Sequence, residues 1–93
     1  MDIQHEEFGS KGTFFVQEGG NRLAFMAYSK AGPTRLIIEH TEVSEALKGK
    51  NAGKQLVAAA VEFARKNNLK VLPLCPFARS VFDRVKEYSD VLD

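Results

Sequence analysis

Ninety-three residues leave room for one domain, expected to span residues 1–93, and exclude a catalytic domain with a separate cofactor module. Thirteen Lys and Arg against twelve Asp and Glu give a net charge of +1, too balanced for a protein whose main work is coating nucleic acid, so no nucleic-acid partner is expected. One cysteine and two histidines exclude a disulfide framework and a cysteine-rich zinc site, and no metal is expected. The segment Met1 to Phe8 is acidic and lacks an apolar signal region, and the longest apolar stretches fall far short of the roughly 20 residues that span a membrane. The expectation is a soluble chain in a reducing, cytoplasmic setting, with no membrane partner.

A weak strand near Ile3 to Phe8 ends at the turn Gly9 to Gly12. The β-prone run Thr13 to Glu18 follows, and Gly19-Gly20-Asn21 separates it from Leu23 to Tyr28, where Leu23, Phe25 and Ala27 alternate with Ala24, Met26 and Tyr28. Gly32-Pro33 then precedes a fourth run, Thr34 to Thr41. Strict alternation there predicts Leu36, Ile38 and His40 on one face, with Ile37 and Glu39 on the other. The period then changes, because Leu56, Val57, Ala60, Phe63 and Ala64 recur at helical spacing between about Ala52 and Asn68. Glu62 and Lys66 are spaced to pair on that helix. Asn67-Asn68 suits the left-handed conformation that ends helices, Lys70 to Leu74 reads as a short buried strand, and Pro76 opens a second helix along which Phe77, Val81, Val85 and Tyr88 share a face. The predicted order is ββββαβα. The fold class is α+β, a mixed and mostly antiparallel sheet with one βαβ crossover.

A right-handed crossover makes the fourth and fifth strands parallel, and crevices outside the carboxyl ends of such strands are where ligands bind. His40, Cys75 and the start of the first helix converge there. Lys48, Lys50 and Lys54 surround a helix end whose free amides already favour negative charge, so added cations oppose the local rule for a bare helix. Gly49 and Gly53 allow close approach of a ligand and Asn51 tolerates positive φ, so Lys48 to Lys54 is either a phosphate cradle or a solvated lysine turn. Cys75 stands between Pro73 and Pro76. Pro73 cannot donate to a ladder, which predicts that the strand parts from a neighbour there. With Pro76 as the first helical residue, Cys75 is the cap, facing amides that favour a thiolate; the alternative is a small buried hydrophobe. His40 is either a catalytic imidazole or a hydrogen-bonded histidine at the core edge, and Glu39 is a rival base or a surface carboxylate.

Three blocks, His40-Thr41-Glu42-Val43, Leu47-Lys48-Gly49-Lys50 and Pro73-Leu74-Cys75-Pro76-Phe77, resemble in order and spacing the very short members of the GNAT superfamily of acetyl-CoA-dependent N-acetyltransferases. The resemblance runs from about Thr13 to Leu92. It implies a truncated GNAT-like fold with the sheet splayed between the fourth and fifth strands. It also implies acetyl-CoA as cosubstrate, held by Val43, Lys48, Gly49, Lys50, Asn51, Ala52, Gly53, Lys54, Cys75 and Ala78. The superfamily's pyrophosphate loop reads here as Lys48-Gly49-Lys50-Asn51-Ala52-Gly53, with Lys48 replacing Gln or Arg and Asn51 replacing Gly. Cys75 stands where the superfamily has an Asn that contacts pantetheine, and Phe82 stands where a Tyr often protonates the departing thiolate. The implied activity is N-acetyl transfer to an amine acceptor, a small molecule or a protein side chain, with Cys75 and His40 in the site. Cys75 either carries the acetyl group or protonates departing CoA. The alternative is a noncatalytic acyl-CoA-binding or protein-interaction module.

Overall fold

Tight turns with glycine at positive φ, at Gly9, Gly19-Gly20 and Gly32, fold the first third of the chain into an antiparallel meander. The computed structural model describes residues 1–93. The meander comprises β1 (Gln4–Phe8), β2 (Lys11–Glu18), β3 (Asn21–Ala31) and β4 (Arg35–Val43). Helix α1 (Ala52–Lys66) crosses to β5 (Lys70–Pro73), and α2 (Pro76–Arg84) follows. Short 3-10 turns occupy Glu45–Leu47 and Lys86–Val91. The sheet runs β1-β2-β3-β4-β5, antiparallel except for the last pair, so the expected α+β architecture is observed. No helix is long and apolar enough to cross a membrane.

Alternate strand residues Phe14, Val16, Ala24, Met26, Tyr28, Leu36 and Ile38 meet Leu56, Val57, Ala60 and Val61 of α1 and Ala78, Val81 and Phe82 of α2 in one cluster. Both helices therefore bury their apolar stripes on the same face of the sheet, here called the helix face. The other face carries no helix. Its one buried aromatic, Phe15, lies under the Arg22 guanidinium, 3.9 Å from the ring centroid.

The second helix is shorter than its periodicity suggests. It ends at Arg84, and Val85 is extended rather than helical. The chain instead turns back so that Val91 is buried, Asp93 donates its amide to Val71, and Arg35 pairs with Asp93 at 2.7 Å. Arg65 of α1 fixes this return through a bidentate contact with Asp90 at 2.9 and 3.0 Å. Arg65, not Lys66, pairs with Glu62, at 3.5 Å.

Candidate active site at the splayed strands

The β4–β5 pairing covers only Arg35 to Ile38 against Lys70 to Pro73. The amides of Leu74 and Cys75 both donate to the Ile38 carbonyl, at 3.0 and 3.3 Å, and there the ladder stops. Pro73, with no amide to give, stands at the end of the ladder, so the strands part as the sequence suggests. From His40 to Val43, β4 is paired with β3 alone. A splay opens between β4 and β5 at their carboxyl ends.

A β-bulge decides what faces this splay. Ile38 pairs with Tyr28 and His40 with Ala27, leaving Glu39 as the extra residue. Beyond a one-residue insertion the faces of a strand exchange. His40 therefore does not share a face with Leu36 and Ile38, as strict alternation predicts; it lies on the open face with its ring 5.8 Å from that of Phe25. Its Nε2 is 2.8 Å from the Glu42 carboxylate, an acceptor, so that nitrogen donates and Nδ1 is the acceptor of the neutral ring. Glu39 is on the same open face, accepting from the Ser29 hydroxyl at 3.0 Å and lying 3.8 Å from Lys11. Thr41 takes the helix-face place opposite Met26 that alternation assigned to His40.

Cys75 caps α2, with Pro76 as the first helical residue. The residue is 5% exposed, and its Sγ has two partners: it accepts from the Ala78 amide at 3.4 Å and donates to Thr41 Oγ1 at 3.4 Å. The thiol thus belongs to the helix face and the imidazole to the open face.

The lysine-rich loop leads into α1 as the sequence suggests. Asn51 is its cap in the left-handed conformation, φ 59° and ψ 30°, and makes no side-chain capping bond. Gly49 is at φ 82°. The first turn contains no acid, so the leading amides of Ala52, Gly53 and Lys54 remain available to an anion. Gln55 braces the loop by donating to the Lys50 carbonyl at 3.3 Å. These groups form one wall of a depression of about 270 Å³, whose lining includes Val43, Lys48, Gly49, Asn51 and Lys54. An anionic cosubstrate fits this chemistry: free amides, two lysines and no opposing carboxylate in the lining. Lys50 borders a separate depression with Met1, Glu18 and Gln55, while Cys75 and Ala78 lie deeper, in the core.

Sequence reasoning missed Leu47 and Phe77 as lining residues and Thr41 as the partner of the thiol. One signal for Phe77 was present. Gly53 is not at positive φ, so its glycine answers to space, and a Cβ there would fall 2.5 Å from the Phe77 ring.

At the far edge of the sheet His5, without a role in the sequence reading, stacks on Phe14 at 4.2 Å and meets the Tyr28 hydroxyl at 2.5 Å. Burial holds the imidazole below its ordinary value of 6.5, although the residue has exposed surface. Burial, reinforced by the Glu7 carboxylate, pushes the Tyr28 phenol up, and the hydrogen bond from Lys30 pulls Glu7 down. These groups tie β1 to β3 and stand apart from the splay.

A family model described as GCN5-related N-acetyl-transferase matches residues 13–91. The chain belongs to the GCN5-related N-acetyltransferase family. It is 35% identical to a GCN5-like protein from Staphylococcus aureus, with a TM-score of 0.77 over 99% of this chain and 87% of that one. It shares its fold, at 15% identity and a TM-score of 0.65, with a Clostridium acetobutylicum protein described as an acetyltransferase with acetyl-CoA, covering 82% of this chain and 56% of that one. Protein NATD1 of Danio rerio is 33% identical over 57 residues, which make up 61% of this chain and 52% of that protein. The matched stretch thus spans about half the length of this curated relative. In this chain the splay and the loop before α1 both follow the carboxyl end of β4.

Proposed function

We propose that this chain binds acetyl-CoA at the splay and transfers the acetyl group to an amine approaching from the open face, as a short member of the family. The observation that carries the reading is the splay itself: one gap in the ladder adjoins the thiol of Cys75 on the helix face and the imidazole of His40 on the open face. The amides of Ala52, Gly53 and Lys54, with Lys48 and Lys54, hold the pyrophosphate, and Lys50 adds charge from the neighbouring depression. Acetyl-CoA supplies an activated thioester carbonyl. His40 Nδ1 takes the proton that the acceptor nitrogen loses as its bond to carbon forms, and Cys75 is the source of the proton that restores the CoA thiol as the carbon–sulfur bond breaks.

Separate faces for acid and base favour direct transfer over an acetyl-cysteine. In the latter the base must reach the thiol, yet the partners of Cys75 are Thr41 and Ala78, and the partner of His40 is Glu42. The test is incubation with isotope-labelled acetyl-CoA and a panel of peptides and polyamines, read by mass spectrometry. His40→Ala is expected to slow transfer by roughly one hundredfold with CoA affinity nearly unchanged, and Glu39→Gln by less than about tenfold. A chemically competent acetyl adduct on Cys75 would overturn direct transfer. Binding without any turnover would make the chain a noncatalytic acyl-CoA module.

A further inference from the structure

We propose that the Thr41 hydroxyl delivers the proton to the departing sulfur and that Cys75 replenishes it, an inference that rests on the acetyl-transfer reading above. The thiol is almost fully buried and both of its hydrogen-bonding positions are filled, one by the Ala78 amide and one by Thr41 Oγ1. Its proton therefore points at Thr41 rather than into the gap. Thr41 lies in the stretch of β4 beyond the last β5 pair and is half-buried. Its hydroxyl accepts from the thiol, and a hydroxyl that accepts still has a proton of its own to give.

A threonine hydroxyl alone is a poor acid, and the thiol behind it removes that difficulty. As the carbon–sulfur bond breaks, the Oγ1 proton passes to the sulfur and the Sγ proton passes to Oγ1. Thr41 ends unchanged, the CoA thiol is formed, and the negative charge rests on Cys75. There the Ala78 amide and the positive end of α2 stabilise it. The thiolate later regains a proton from solvent. The bulge at Glu39 is what makes the relay possible, because without it Thr41 would face away from the thiol.

The test compares Thr41→Val, which keeps the branched shape suited to a strand but removes the hydroxyl, with Thr41→Ser, which keeps the hydroxyl. Thr41→Val is expected to lower kcat about tenfold or more with the KM for acetyl-CoA nearly unchanged, and Thr41→Ser to restore most of the rate. Adding Thr41→Val to Cys75→Ala is expected to cost little further, since the two residues act as one unit. A readout needing no acceptor comes from the single cysteine, because one thiol gives one S–H stretching band in the infrared. That band is expected at higher frequency in Thr41→Val than in the wild type or Thr41→Ser. An unmoved band overturns the hydrogen bond. A normal rate in Thr41→Val beside a slow Cys75→Ala overturns the relay alone, whereas a normal rate in Cys75→Ala overturns the role of the thiol as well.

Discussion

Replacing Gly53 by alanine tests whether Phe77 shapes the cosubstrate site. The added methyl would fall 2.5 Å from Cζ and 2.8 Å from Cε2 of the Phe77 ring, whereas carbon atoms settle about 3.5 to 4.0 Å apart, so the ring must move by roughly 1 Å. Phe77 is 36% exposed and can swing outward, which keeps the overpacking cost near the low end of the usual range, about 1 kcal/mol. Alanine in place of glycine within a helix returns about 0.8 to 1 kcal/mol. The two nearly cancel, so the melting temperature is expected to stay within a few degrees of the wild type. Binding is expected to fare differently. The ring is part of the wall of the depression, and its displacement is expected to weaken acetyl-CoA binding about tenfold, equivalent to about 1.4 kcal/mol, by isothermal titration calorimetry. Removing the ring in Gly53→Ala/Phe77→Ala separates steric displacement from any effect of the methyl on the loop, because no ring remains to be pushed. Unchanged affinity in Gly53→Ala, or an equal loss when alanine is introduced without the ring, refutes the steric reasoning.

Cys75→Ser retains a side chain that caps α2 well, so stability is expected to stay level or rise by up to about 1 kcal/mol. Its hydroxyl is a much weaker acid than a thiol, and steady-state assays are expected to show acetyl transfer at least about tenfold slower; a full rate would remove the thiol from the mechanism. A third expectation concerns pH. Burial lowers the folded-state value of His5 below 6.5, so the unfolded chain takes up the proton first on acidification. The contribution of neutral His5 to stability is therefore complete above about 6.5 and declines as pH falls from there through the lowered folded value. Urea unfolding between pH 7.5 and 5.5 is expected to show a smaller fall in stability for His5→Gln than for the wild type, and equal slopes would show that burial of His5 is not linked to folding.

The chain itself determined what depends on a few neighbouring residues. Gly9, Gly19-Gly20 and Gly32 specify the turns because few other residues adopt their positive φ, and the element order follows from where the hydrophobic period changes from two to 3.6. Asn51 in the left-handed cap before α1 and Cys75 in the cap before Pro76 are likewise local, because side-chain volume and the proline ring restrict the backbone wherever the chain goes. Tertiary structure decided which side chains meet. Alternation contains no sign of the unpaired Glu39, since a bulge arises from the ladder with β3, and that one residue moved His40 to the open face and brought Thr41 to the thiol. Phe77 over Gly53 and His5 against Tyr28 join elements 24 and 23 residues apart, so no local pattern could pair them. The second helix stops at Arg84, although its apolar spacing runs on to Tyr88, because Arg65 and Asp90 draw the following turn back against α1. Local conformational preference is encoded within a turn or a strand, whereas register and the choice of packing partner exist only once separate elements compete for the same space.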